Sequence, residues 1–487
     1  MPTYFISRIV ALFLAIFLLS APSYLSSSEA NDGEELLPNF VVIMVDDLGA
    51  MDLGCYGNNY IRTPNIDQLA KDRVLATRAY AAAAICSPTR AAWITGRHPA
   101  RLGITDWIRA RFQRPEATDI NVPRSQFDTN PRQLFQTPSN PFYLPLSEIT
   151  VAEIVKKRGY RTAHIGKWHL GDDEWYPEHQ GYDVNKGGCD YGQPPTYFDP
   201  YLLPNAKHES LRTGIPGIKG RKAGEFLTER ETAEAIDLMK QWKDSPFYIQ
   251  LNHYAVHTPI EAPSDLTEYY RQPGKNNQQA KYAALLETVD RGVGQLRTAI
   301  GELKMNRPTI IVFTSDNGGL DQNGSPTNNA PLRDGKGTPY EGGLRVPLIF
   351  FGDGVFPGNR ILDAPICSLD WLPTLCALTN QENPDNVILD GINLLPLLKA
   401  HASPTKPRRL TWHFPHYRGE TLPYSVLQAE DWKLIHTYGA PPELYHLDKD
   451  PFETTNLSQV EKEKLSELTV VLFEELKRLN ASLPKEK

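Results

Sequence analysis

What this 487-residue chain lacks narrows its class before any motif is read. It has only five cysteines, at positions 55, 86, 189, 367 and 376. That is too few for a disulfide-built scaffold, and the odd count leaves at least one thiol unpaired if bridges form. The spacing assigns no pairing. The chain also lacks an excess of positive charge: 51 Lys and Arg against 58 Asp and Glu give a net charge of −7. No global basic field draws a polyanion, which argues against nucleic acid as a partner, and an anionic ligand needs a local basic site. There is no internal repeat. The N-terminal apolar run, residues 9–19, is short for a membrane span.

That run follows Arg8 and precedes Ser28-Glu29-Ala30, small residues at the spacing of a cleavage site. No cysteine stands where a lipid-attachment motif requires one. Residues 1–30 are expected to be a cleaved signal peptide, with a membrane anchor as the alternative. The expected mature chain starts near Asn31 and works outside the cytoplasm, in a periplasm or extracellular space, or as a lysosomal or secreted protein in a eukaryote. The rest is 40% hydrophobic and 22% charged, ordinary for a folded protein.

Residues 40–45 form a continuous apolar run that ends in Asp46-Asp47, the pattern of a buried parallel strand with carboxylates at its C-terminal end. Further strands are expected at 160–165, 247–252, 309–314 and 346–351. Helices are expected at 65–71, 150–158, 225–242, 282–303 and 370–378. The alternation implies an α/β fold, a mostly parallel sheet flanked by helices. Residues 109–148, polar and Pro-rich, read as a surface excursion, and residues 172–222 as loops over a site. After about residue 380, short antiparallel strands at 410–414, 426–428, 432–436 and 443–447 and a helix at 459–480 suggest a smaller α+β C-terminal domain. The expected division is a catalytic domain over residues 31–380 and the smaller domain over 381–487.

Residues 84–96 read Ala-Ile-Cys-Ser-Pro-Thr-Arg-Ala-Ala-Trp-Ile-Thr-Gly. Ser87 suits an N-cap and Pro88 the first helical position. Cys86 then faces the unpaired N–H groups of a helix start, a place for an anion, and Arg90 reaches the same pocket one turn on. A buried free cysteine is the plain alternative. Asp46-Asp47 and Asp316-Asn317 each follow an apolar strand directly. Brought together, they make a hard-oxygen site suited to Ca²⁺ or Mg²⁺ rather than zinc; taken singly, each pair reads first as a helix cap.

In residues 159–169 a strand runs into Gly166 and then Lys167 and His169, a point cation and a hydrogen-bond donor. His253 and His257 flank a loop ending in Pro259, where a histidine can serve a leaving oxygen. Residues 335–343 are a glycine-rich loop around Lys336, able to approach a ligand closely.

The run at 84–96 resembles the first signature of the sulfatase family, and residues 159–169 resemble the second. The loop around Lys336 and the His-Thr-Pro at His257 are also similar to that family, over roughly residues 37–460. The resemblance implies an alkaline-phosphatase-like fold and hydrolysis of sulfate esters. Cys86 would be converted to formylglycine by a formylglycine-generating maturation enzyme. Asp46, Asp47, Asp316, Asn317 and the modified Cys86 would hold one Ca²⁺. The hydrated aldehyde would attack sulfur and later expel its own sulfate. Lys167 and Lys336 would neutralise the sulfuryl oxygens, His257 would protonate the leaving oxygen, Arg90 would orient the formylglycine and His169 would steady the diol. The implied partner is a sulfated sugar or polysaccharide. Residues 257–263 resemble N-acetylgalactosamine-4-sulfatases and suggest a sulfated galactose or N-acetylgalactosamine unit. Tyr191, Tyr197, Phe198 and Tyr201 either stack on sugar rings or pack within their loop. A phosphomonoester or phosphonate-ester hydrolase of the same superfamily is the rival enzyme. An inactive carbohydrate-binding homologue is the rival of another class.

Overall fold

A computed structural model describes residues 36–115, 118–399 and 408–487; the expected signal segment lies outside them. The first strand, β1 (Asn39–Val45), is buried along its whole length. Its Phe40, Val42 and Met44 enter one core and its Val41, Ile43 and Val45 the other, so the unbroken apolar run follows from cover on both faces. The further strands of this sheet are β2 (Val74–Ala76), β3 (Arg161–Gly166), β4 (Val184–Lys186), β5 (Phe247–His253), β6 (Thr309–Ser315), β7 (Leu348–Gly352) and β8 (Arg360–Leu362). Their spatial order is β8-β2-β7-β6-β1-β5-β3-β4. The strands from β6 through β4 are all parallel, and β7 runs against both of its neighbours.

Helices cover both faces. One core takes apolar residues of α1 (Pro64–Asp72), α4 (Leu227–Gln241) and α5 (Asn277–Leu303). The other takes those of α2 (Cys86–Thr95), α3 (Val151–Lys156) and α6 (Trp371–Leu378). This is the expected α/β architecture. α5 starts five residues before the expected position, because Asn276 and Gln279 form a reciprocal capping box with bonds of 2.9 Å each.

The C-terminal strands β9 (Arg409–Phe414), β10 (Tyr424–Ala429), β11 (Trp432–Thr437) and β12 (Glu443–His446) form an antiparallel sheet in sequence order. One face packs on Leu468, Leu472 and Leu476 of α7 (Lys462–Arg478). The other face, with Trp412, Val426, Ile435 and Tyr445, shares a core with Tyr80, residues 82–86 and Leu344. The small sheet thus buttresses the chain that leads into Cys86. The excursion at 109–148 holds two short strands, Phe127–Asp128 and Phe135–Pro138, and the second pairs with Lys485–Glu486 at the chain's end. The 172–222 region contributes the edge strand β4. All five thiols are free. Among the described residues no helix is long and apolar enough to cross a membrane.

Candidate active site

Four adjacent parallel strands end at one place. β6 runs into Asp316-Asn317, β1 into Asp46-Asp47, β5 into the loop carrying His257, and β3 into Lys167. In a parallel sheet the carboxyl ends share one edge, where ligands bind. Residues distant in sequence are neighbours here because Val45 sits opposite both His253 and Ser315 in register.

The cluster is built from opposed charges. Carboxylate oxygens of Asp46, Asp47 and Asp316 lie within 4.8 Å of one another. Lys167 Nζ donates to Asp46 Oδ2 at 2.6 Å, and Lys336 Nζ lies 2.6 Å from Asp47 Oδ1. Arg90 Nε donates to Asp316 Oδ2 at 2.8 Å and Nη1 to the Lys167 carbonyl at 2.9 Å, so Arg90 ties two strand ends together. Asn317 Nδ2 donates to Asp47 Oδ1 at 2.9 Å, and His257 Nε2 stands 3.5 Å from Asp47 Oδ2. Asp47 adopts a left-handed φ of 59°, which turns its N–H toward Asp316 Oδ1 at 3.2 Å; such backbone is costly and concentrates at functional sites. Gly166 is required at φ +82°, where a Cβ would collide with the Asn252 carbonyl.

Burial raises Asp46 well above the usual carboxyl range despite Lys167, with Asp316 and Asp47 adding repulsion. Burial also works against Asp47, but Lys336 and His257 outweigh it and hold its carboxyl low. Burial, then Lys336, pushes His257 down to about 3. The Cys86 thiol is raised by burial, which Lys167 and Lys336 only partly offset. A thiol so placed is mostly protonated at neutral pH and is a poor nucleophile as cysteine.

Two buried acceptors, Asp46 Oδ1 and Asn317 Oδ1, have no hydrogen-bond partner among the described residues. Orphaned hard oxygens beside clustered carboxylates fit an oxygen-ligated divalent cation.

The structure brings together every site residue expected from sequence. It corrects the local geometry at Cys86. α2 begins two residues earlier than expected, with Ile85 in the N-cap position and Cys86 inside the first turn. Ser87 does not cap; its Oγ donates to the His169 carbonyl and accepts from Ile108 N–H, both at 2.9 Å. The turn before the helix is closed instead by Thr89 Oγ1, bonded to both Ala83 N–H and Ala83 carbonyl. His169 Nε2 lies 2.7 Å from the Ile108 carbonyl, and its Nδ1 is among the buried polar atoms without a partner.

Sequence reasoning missed Glu231 and the anchoring role of Tyr197. Glu231 Oε2 lies 2.7 Å from His253 Nδ1, which turns His253 away from the carboxylates. The signal was present, since Glu231 falls on the apolar stripe of α4 with Leu227, Ala235 and Leu238. Tyr197 OH donates to the carbonyls of Tyr254 and His257 at 2.7 and 2.9 Å, setting the loop that carries His257. Tyr191, Tyr197 and Tyr201 are buried, and only Phe198 of that group is exposed. Their loop is an aromatic core and offers those three tyrosines to no sugar.

The sequence profile described as Sulfatase matches residues 38–381, and that of the N-sulphoglucosamine sulphohydrolase C-terminal region matches residues 335–482. Human arylsulfatase A is 33% identical over 473 residues, spanning 86% of this chain and 83% of its own. Human steryl-sulfatase is 27% identical, spanning 97% of this chain and 91% of its own. The crystal structure of Ps i-CgsB in complex with k-i-k-neocarrahexaose superposes with a TM-score of 0.76 at 27% identity, covering 91% of this chain and 93% of that one. With a profile match over most of its length and carboxylates, lysines and cysteine gathered at one sheet edge, the chain belongs to the sulfatase family and is a sulfuric ester hydrolase.

Proposed function

We propose that the protein is an exported, Ca²⁺- and formylglycine-dependent sulfatase acting on sulfated carbohydrate, with its catalytic machinery in residues 31–380 and a smaller supporting domain in 381–487. The observation that carries this reading is the pair of orphaned oxygens, Asp46 Oδ1 and Asn317 Oδ1, set between two lysines beside Cys86. A saccharide is bound in the structure of the relative Ps i-CgsB.

Asp46, Asp47, Asp316, Asn317 and the modified Cys86 would hold the ion, which when bound supplies Lewis-acid charge at a sulfuryl oxygen. The formylglycine that a maturation enzyme forms at Cys86 supplies, when hydrated, the attacking hydroxyl. Lys167 and Lys336 bind the sulfuryl oxygens and neutralise charge that builds in the transition state. Arg90 keeps Asp316 and the Lys167 backbone in register and orients residue 86. His169, whose Nδ1 has no partner among the described residues, would hold the hydroxyl of that residue. His257, held neutral in the free site by burial and Lys336, takes up a proton as the negative substrate binds and gives it to the leaving oxygen.

The test compares kcat/KM on sulfated sugars, nitrophenyl sulfate and nitrophenyl phosphate for protein matured on residue 86. Sulfate esters are expected to be the better substrates, chelation to stop turnover and Ca²⁺ to restore it. His257→Ala is expected to lose much rate on sugar sulfates and little on nitrophenyl sulfate, whose phenolate leaves without a proton. Faster cleavage of phosphate than sulfate, or full activity with residue 86 still cysteine, overturns the reading.

A further inference from the structure

The rim of the site is set by one pinned loop. Ile108 is held to Ser87 by its N–H and to His169 by its carbonyl, at 2.9 and 2.7 Å. Asn140 Oδ1 accepts from the N–H groups of Thr105 and Asp106 at 3.0 Å each, and its Nδ2 donates to the Asp106 carbonyl at 3.0 Å. The loop so fixed stands Trp107 beside His169, with ring centroids 6.4 Å apart, and places the Arg109 guanidinium 5.8 Å from the Trp107 ring centre. Thr105 Oγ1 meets His416 Nε2 at 2.7 Å, which brings the connection between β9 and β10 to the same rim. Arg418 on that connection packs over Gly337, where a Cβ would collide with its Cδ and Nε, next to Lys336.

These two arginines differ from every cation of the cluster. Arg90, Lys167 and Lys336 are each paired with a carboxylate. The guanidinium groups of Arg109 and Arg418 have neither a hydrogen bond nor an ion pair among the described residues. They act on a common neighbour: burial raises Asp106 to about 6, and both arginines pull it back. Between Arg109 and the excursion lies a cavity of about 460 Å³ whose walls include Asp106, Trp107, Arg109, His416 and Tyr417, the residue before Arg418, a size that suits a small ligand. In a chain of net charge −7, two guanidinium forks free of hydrogen bonds and ion pairs among the described residues, Arg109 over the Trp107 indole and Arg418 over Gly337, are arranged to take an oxyanion on a ring-shaped ligand.

We propose that Arg109 and Arg418, at the rim of the cluster with Trp107 beside Arg109, form a second anion-recognition site for the sugar unit next to the one whose sulfate is cleaved. The preferred substrate is then an oligosaccharide with a further oxyanion, a carboxylate or a second sulfate, beside the scissile ester. This rests on the reading of the substrate as sulfated carbohydrate.

The experiment measures kcat/KM for nitrophenyl sulfate and for disaccharides with one sulfate and, on the neighbouring unit, no charge, a uronate carboxylate or a second sulfate. The wild-type protein is expected to prefer one of the doubly charged disaccharides by about tenfold or more, in line with a charged hydrogen bond. The preference is expected to shrink with salt, and the better of the two identifies the oxyanion. Arg109→Met and Arg418→Met are each expected to reduce the ratio of doubly to singly charged substrate about tenfold, through KM. Equal wild-type rates on all three disaccharides overturn the proposal and leave the carbohydrate reading standing. Equal losses across the series in both variants overturn it too. Cleavage of nitrophenyl sulfate with none of any disaccharide overturns the carbohydrate reading itself, and the proposal with it.

Discussion

Two buried charge clusters lie in this molecule, and they solve opposite problems. At the sheet edge, three carboxylates face Lys167, Lys336 and Arg90, yet Asp46 Oδ1, 3.5 Å from Arg90 Nη2, and Asn317 Oδ1 accept no hydrogen bond among the described residues. The other cluster joins the small sheet to the glycine-rich loop. Lys433 of β11, fully buried, lies 2.9 Å from Glu341 Oε1 and 2.7 Å from Glu453 Oε1. Its carboxylates are engaged within the cluster: Tyr80 OH donates to Glu341 Oε2 at 3.0 Å and Glu341 N–H to Glu453 Oε2 at 2.7 Å, while Glu453 Oε1, which accepts no hydrogen bond among the described residues, lies against the Lys433 ammonium at 2.7 Å. The first arrangement keeps acceptors open at a cost in stability, which suits a site that binds charge. The second uses its groups on each other and clamps the segment just after Lys336. A buried ion pair is thus no measure of function; unused hydrogen-bonding capacity is the better sign.

The contrast is sharpest at Cys86. Cys86→Ala is expected to abolish turnover on every sulfate ester while leaving the melting temperature near wild type, because a small buried side chain is lost and no charge is unpaired. Residual turnover in this variant would show that the nucleophile lies elsewhere in the cluster.

Lys433→Met should do the reverse. Leaving two buried glutamates without their cation costs about 3–5 kcal/mol, read as a lowered denaturant midpoint, while kcat of the remaining folded protein holds. An unchanged midpoint would mean that the glutamates carry the clamp without the lysine.

Lys336→Met isolates the first cluster. A rate loss of roughly a hundredfold, about 3 kcal/mol of barrier, is expected on all sulfate esters alike, together with a lowered denaturant midpoint because Asp47 is left buried without its cation. A loss confined to sugar sulfates would move Lys336 from the sulfate to the leaving group.

The smallest effect is a pH dependence in the second cluster. Burial and the neighbouring Glu341 raise Glu453 to about 7 even with Lys433 beside it. An unfolded glutamic acid loses its proton near pH 4.3. Between these values the folded state holds the extra proton, so stability falls as pH rises through the window and the loss is complete above the folded pKa. Glu453→Gln mimics the protonated form. Its stability relative to wild type should therefore improve between about pH 5 and 7, by roughly 1 kcal/mol per pH unit at most. A difference curve that is flat with pH would place Glu453 as a permanent anion.

Much of the fold was legible in the chain because buried parallel strands leave apolar runs, unbroken in β1 and β6 and interrupted in β5 by Gln250, which hydrogen-bonds to Tyr248 and Asn252. The short edge strand β4 was not, since Val184–Lys186 is half-exposed and reads as loop. The excursion was only partly legible. Its strand Phe135–Pro138 exists by pairing with Lys485–Glu486, a contact between distant segments that no local pattern carries.

For the site the division is similar. Local sequence determined the residue types and their placement at strand ends: acids after β1 and β6, a lysine after β3, Cys86 and Arg90 one turn apart. Their chemistry narrows the ligand to a hard cation and an oxyanion wherever they meet. Only the tertiary structure decided that they do meet, because the order β6-β1-β5-β3 is a matter of strand pairing and is not encoded in any one strand. It also decided which groups remain unused. Glu231 takes His253 out of the cluster, Tyr197 anchors the loop of His257, and Ser87 leaves its expected cap to bind His169 and Ile108. Each is a long-range hydrogen bond, and a side chain's partner depends on which other segments the packed core brings within about 3 Å of it.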